Sequence, residues 1–179
     1  MTARCPRTGQ FGVAVATRVP AVGAAVPHAR AGVGAIATQA WTNPYIGLDG
    51  LDLLAAGASA AQVVAAGNLL AGPAVLDAMA TAFTAGPDDE LQVRLLAALA
   101  AGQAAGGDKR GKQSAALKVV DREDYPFIDL RVDEHADPIP ELQRVYAVWN
   151  EQLRPHLASR ATRAYLEARS GHARPRLPG

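Results

Sequence analysis

Residues 10–41, QFGVAVATRVPAVGAAVPHARAGVGAIATQAW, decide the fold class. Phe11, Val13 and Val15 alternate with Gly12, Ala14 and Ala16, which is the period of a strand. Both alternating sets are apolar or small, which suits a sheet covered on both sides. Gly23, Gly32 and Gly34 stand among Val, Ala and Ile and predict strands that other backbone approaches closely. Pro20 and Pro27 mark strand ends or bends. Residues 29–32, ARAG, predict a hairpin-type turn with Gly32 in the left-handed region.

Outward from this stretch the pattern changes to helices. TNPYIGLDG at 42–50 reads as a loop, and a helix is expected from about Leu48. Leu51, Leu53, Leu54, Ala58, Ala61, Val64 and Ala65 form its apolar face, broken at Gly57. Ser59 and Gln62 have capping-box spacing, so two short helices meeting at Gly57 are the alternative. A helix follows from Pro73, with Val75, Leu76, Met79, Ala80 and Phe83 on one face and Gly86–Pro87 as its stop. A third spans 88–103, with Asp88, Asp89 and Glu90 at its positive end. AAGGDKRGKQ at 104–113 reads as a flexible charged loop. SAALKVVD (114–121) and YPFIDLRVD (125–133) read as an antiparallel strand pair turning at REDYP. Pro140 opens a last helix, in which Leu142, Val145, Tyr146, Trp149 and Leu153 recur at spacings of three and four. The order is strands, helices, strands, helix, so an α+β layering fits better than a doubly wound fold.

Composition narrows the function classes. The chain has 179 residues, which suits one domain: residues 1–153 as the domain and 154–179 as an arginine-rich tail. Alanine supplies 39 of them, so the core must be tight rather than bulky. Net charge is +1 and aromatics make up 5%, which gives no general pull toward nucleic acid or anionic lipid and no stacking platform. Cys5 is the single cysteine, so an internal disulfide is excluded. No secretion signal or membrane-spanning run is legible, and a cytoplasmic location is the expectation.

Four blocks resemble a known family. GQFGVAVATRVPAVGAAVPHARAGVGAIATQAWTNPYIGLDGLDLLAAG, NLLAGPAVLDAMATAF, AAGGDKRGKQSAAL and IDLRVDEHADPIPELQRVY resemble, in that order, the DUF1028 proteins. The resemblance covers roughly residues 8–146. It implies the fold of the N-terminal nucleophile (Ntn) hydrolases, a four-layer αββα sandwich of two facing antiparallel sheets with helices outside. Two departures stand out. The family pattern opens with Met, a small hydroxyl residue and an apolar strand of the kind FSIVA, whereas here Met1–Thr2 runs directly into Ala3–Arg4. The pattern also carries a further strand-bearing segment where Ala66–Gly67 here meets Asn68. Each absence removes strand that would pair inside a sheet, through residues omitted or through a reduced chain, and a missing central strand would leave buried N–H and C=O groups unpaired at a cost.

Thr2 is the first candidate for chemistry. With Met1 removed, its α-amine, ordinarily of pKa about 7.7–8.0, can take the proton of its own hydroxyl while Oγ attacks a carbonyl. Backbone N–H groups would hold the oxyanion. The plain alternative is an ordinary Met–Thr start. His28 and Arg30, in PHAR, are a base and an anion clamp or else a backbone-bonded histidine beside a solvated arginine. In TQAWTN, Trp41 floors a pocket while Thr42 and Asn43 donate to substrate, or the run is a turn before Pro44. In GGDKRGKQS, Asp108, Arg110 and Gln113 form a carboxylate- or phosphate-binding loop, or Asp108 and Arg110 brace one another. The spacing is not that of a Walker loop.

Asp129, Arg131 and Asp133 alternate along one strand face and are expected to pair in salt bridges. Asp133, Glu134 and Asp137 are conceivable hard-cation ligands, but a solvated edge is the simpler reading. No metal and no cofactor is expected. The reading implied for the whole chain is an amide hydrolase acting on a small metabolite or peptide, with Thr2, His28 and Asn43 as the catalytic set. Arg30, Trp41, Thr42, Asp108, Arg110 and Gln113 would contact substrate, and a homo-oligomer is expected. The alternative is a non-catalytic ligand-binding or structural protein of the same fold.

Overall fold

A computed structural model of the chain describes residues 1–38, 43–63, 73–160 and 162–170. In chain order the elements are β1 (Thr2–Arg4), β2 (Phe11–Thr17), α1 (Val22–Ala25), β3 (Pro27–Arg30), β4 (Gly34–Ala37), α2 (Pro44–Ala55), α3 (Ala60–Val63), α4 (Pro73–Ala85), α5 (Leu91–Ala104), β5 (Ser114–Val120), β6 (Ile128–Val132), α6 (Pro138–Gln152), a 3-10 helix (Arg154–Ser159) and α7 (Arg163–Ser170). The fold is α+β with two small antiparallel sheets. One is four-stranded in the order β1-β2-β5-β6, and the other is the β3-β4 hairpin.

The alternation in β2 sorts its side chains between two cores. Ala14 lies with Ala115, Leu117 and Val119 against Leu91, Leu95, Leu96 and Leu99 of α5 and Leu142 and Trp149 of α6. Val15 lies with Ala116 of β5 against Val22 and Val26, with Ala37 of the hairpin packed on them. The hairpin thus crosses the face of the large sheet opposite α5 and α6, and α2 packs on the hairpin.

Ladder parity fixes which backbone groups of β2 are used. The Met1 α-amine donates to the Ala14 carbonyl (2.8 Å), and the Ala14 N–H donates to the Met1 carbonyl (3.0 Å). Successive residues of a strand aim their N–H and C=O groups to opposite sides. Ala14 and Ala16 therefore face the β1 side, and Val13, Val15 and Thr17 face β5. The Gln113 N–H donating to the Thr17 carbonyl (2.9 Å) agrees with this. β1 ends at Thr2, opposite Val13, with Met1 beside Ala14. Among the described residues no strand residue stands opposite Ala16 on that side.

Several sequence expectations hold. The turn at Gly32 (φ 70°) joins β3 to β4, and β5 and β6 are antiparallel. Of the two readings at Gly57 the alternative is the one realised: Gly57 (φ 95°) separates α2 from α3, and Gln62 accepts from the Ser59 N–H (2.8 Å) and hydroxyl (2.9 Å).

Others need correction. Residues 44–50 are helical rather than a loop. Asn43 is the N-cap of α2, accepting from the Tyr45 N–H (3.1 Å), with Pro44 in the first turn. The pair that suggested a turn is also the pair that starts a helix. Residues 22–25 form α1 rather than strand, entered through Ala21 in the left-handed region (φ 54°). Its Gly23 allows close contact: a Cβ there would lie 2.9 Å from that of Ala116. α5 begins at Leu91, after the three carboxylates, and α6 begins at Pro138 rather than Pro140. Beyond α6, Arg154 pairs with Glu90 and Leu157 packs on the main core. Among the described residues no helix is long and apolar enough to cross a membrane.

Candidate functional site

A cavity of about 1100 Å³ lies along the β2 edge that β1 leaves open. Val15, Ala16 and Thr17 line it, with Val75 and Met79 of α4, Leu99 of α5, and Ala35–Ala37 of the hairpin. Among the described residues that line it, only Asp108, Arg110 and Lys112 carry charged side chains, and the rest of that lining is mostly apolar.

Met1 and Thr2 also line the cavity. Thr2 stands opposite Val13, so its side chain shares the hairpin-side face with Val13, Val15 and Thr17. Met1 and Ala3 pack instead toward the α5 core. With Met1 present the terminus offers no free Thr2 amine. The Met1 amine itself is buried against Ala14, and burial lowers its pKa to about 6.

The loop before β5 carries its own network of hydrogen bonds. Gly106, Gly107 and Gly111 take positive φ values (120°, 54° and 119°), which only glycine adopts cheaply. Asp108 accepts from Arg110 Nη2 (2.6 Å), Arg110 Nε (3.0 Å), the Arg110 N–H (2.9 Å) and the Thr17 hydroxyl (3.1 Å). The Arg110 guanidinium is the main reason the Asp108 carboxyl falls from an ordinary 3.8 to about 2. Arg18 donates to Gln113 (2.5 Å), Gln113 donates to Glu134 (2.6 Å), and Lys112 pairs with Asp137. The bracing of Asp108 by Arg110 is thus realised.

A stability prediction follows from Asp108. Its folded-state pKa is depressed, so its contribution is fully present above about pH 4 and is lost as pH falls toward about 2. Asp108→Asn should lower the urea midpoint at pH 7 and narrow the gap between pH 7 and pH 2.5 relative to the parent. Equal acid sensitivity in both proteins would contradict this.

The remaining candidates separate. His28 sits beneath α2, where a Cβ on Gly47 would lie 2.3 Å from its ring, and its Nε2 lies 3.3 Å from the Ala25 carbonyl. Arg30 pairs with Asp52 of α2 (2.9 Å) on the surface. Asn43 caps α2. Trp41 and Thr42 lie outside the described residues. The structure therefore brings Thr2, Asp108 and Arg110 to one cavity, leaves His28 and Arg30 docking α2 to the hairpin, and leaves Asn43 capping α2. Thr17 and Lys112 join the charged end. Thr17 was legible as the polar residue closing an apolar strand. On the far strand Arg131 pairs with Asp133 (2.7 Å) and Lys118 with Asp129 (3.1 Å), as the alternation predicts in kind. Among the described residues no group of three or more His, Cys, Asp or Glu side chains is placed to hold a metal ion.

The family model DUF1028, described as a family of unknown function, matches residues 1–66 and 60–142. The two matched segments overlap over residues 60–66, beside Gly67–Asn68. The crystal structure of protein SPO2555 from Silicibacter pomeroyi, assigned to the same family model, is similar with a TM-score of 0.76. It is 27% identical over 88% of this chain and 88% of that chain. No curated protein matches.

Proposed function

Because the chain belongs to the DUF1028 family, we propose that it is an N-terminal nucleophile amide hydrolase in which Thr2, freed by loss of Met1, attacks the substrate. The layer order supports the Ntn reading: α5 and α6, the large sheet, the hairpin and α2 lie on one another in that sequence. The observation that carries the proposal is the place of Thr2. It is anchored in the ladder opposite Val13, its side chain is exposed, and it lines the large cavity.

In the first step the Thr2 α-amine takes the hydroxyl proton as Oγ bonds to the substrate carbonyl carbon. The proton passes to the leaving nitrogen, the C–N bond breaks, and an ester on Thr2 remains. Water adds to that ester, its proton returns through the amine to Oγ, and the carboxylic acid leaves. Loss of Met1 frees the Ala14 N–H, which now donates to the Met1 carbonyl, to serve as a donor to the developing oxyanion. Asp108, Arg110 and Lys112 hold the far end of the substrate. In this reading His28 and Asn43 seat α2 and do no proton transfer.

One observation favours the second reading, a non-catalytic ligand-binding protein: Asp108 and Arg110 already satisfy each other. Intact-mass analysis with a hydroxyl-directed β-lactone separates the two. Loss of Met1 with a single adduct on the Thr2 fragment supports the hydrolase. A folded, Met1-free protein without an adduct supports the binding protein.

A further inference from the structure

The open edge of β2 has a defined chemistry. Ala16 aims its N–H and C=O at the cavity, two residues beyond the Ala14 groups that Met1 uses. An unpaired strand edge beside an apolar cavity is a template for one more strand. Met1 shows the register such a strand takes, because its own backbone makes the first rung on Ala14. From Thr2, opposite Val13, to the charged end at Thr17 is four residues of β2, or about 13 Å. A compact amide cannot span that distance, whereas an extended one can.

We propose that the substrate of the Thr2 site is an extended peptide that binds as an added strand along Ala14–Thr17, antiparallel to β2, with its acyl residue in the place of Met1. This rests on the hydrolase reading for its end point but on ladder geometry for its path. The acyl residue pairs with Ala14, and the residue two before it pairs with Ala16. The side chains of these two point toward Met79 and Leu99, so they are apolar. The residue between them turns its N–H and C=O away from β2. The residue opposite Thr17 meets Arg110, whose Nη2 lies 3.1 Å from the Thr17 hydroxyl. Arg110 and Lys112 are the cationic side chains of the described lining, each already shared with a carboxylate, Asp108 and Asp137, so an acidic residue there would join an existing set of charge-assisted hydrogen bonds.

The probe is acetyl-Glu-Val-Ala-Met coumarylamide, with the protein prepared to begin at residue 2. Binding is measured by calorimetry on Thr2→Ala, and cleavage is measured on the parent. An N-methyl group on the Val of the probe, which faces Ala16, should weaken binding about tenfold by removing one backbone hydrogen bond and crowding the edge. An N-methyl group on the Ala of the probe should leave binding unchanged. No saturable binding, or equal loss from both methylations, overturns the strand site. The positional pattern without cleavage leaves the strand site standing and removes the hydrolase reading. Cleavage without the pattern does the reverse.

Discussion

Thr2→Ala in the Met1-free protein should lower amide hydrolysis by about 10³-fold or more, with little change in thermal midpoint. The variant keeps a free α-amine and the same backbone pairing, and loses only Oγ. Removing the nucleophile from an acyl-transfer site costs at least that factor when the residual binding and oxyanion donors act alone. Thr2 is exposed, and exposed substitutions away from buried networks usually change stability by less than about 0.5 kcal/mol. Thr2→Ser should keep measurable activity, because it retains a hydroxyl beside the amine. The measurement is kcat on the coumarylamide together with a melting curve for each variant. A Thr2→Ala protein with parental turnover would dismiss the nucleophile, whatever the fate of the binding site.

The second large effect is structural. Leu95 is fully buried and its Cδ1 fills the space that Gly12 leaves: a Cβ on Gly12 would lie 2.6 Å from Leu95 Cδ1 and 3.3 Å from Leu91 Cδ2. Leu95→Ala should cost about 2–5 kcal/mol through lost burial and a residual cavity. Gly12→Ala should cost about 1–3 kcal/mol for the opposite reason, since the added methyl overpacks the contact of β2 with α5. The double variant should be more stable than the sum of the two losses predicts, because each change relieves the other. Urea denaturation of the four proteins measures the cycle. Strict additivity would show that β2 and α5 do not meet through this pair.

The sequence made some of this legible for identifiable reasons. Small and apolar residues on both faces of 11–17 and 114–120 match burial on two faces, the alternation in 128–132 matches burial on one, and all three strands form as expected. Gly32 and Gly57 were readable because each turn needs a positive φ. Asn43–Pro44 was ambiguous, since a turn and a helix start draw on the same Asx hydrogen bond and the same proline φ. The short α1 was hidden because VGAA has no helical period in four residues. For the site, the charged string at 106–114 announced itself, but the fixing of Asp108 by Thr17 depends on where β2 ends. His28 drew attention as chemistry, while its ring is the body that Gly47 packs on. The open edge at Ala16 was legible only as a shortened first strand, because which residue the shortening leaves unpaired depends on which strands pair and in what register.

Because β1 and β2 pair antiparallel, the length of β1 acts as a ruler for the substrate. Each pair of residues added between Thr2 and Ala3 would carry Thr2 about 7 Å further along β2 toward Asp108. Only even additions keep its hydroxyl on the hairpin side, since a single residue inverts every side chain. Four added residues would set Thr2 opposite Thr17 and leave room for a small amide alone. Within one fold, a change in the first strand's length would thus exchange a site for extended peptides for one that takes compact metabolites, with no change in the loop that grips them.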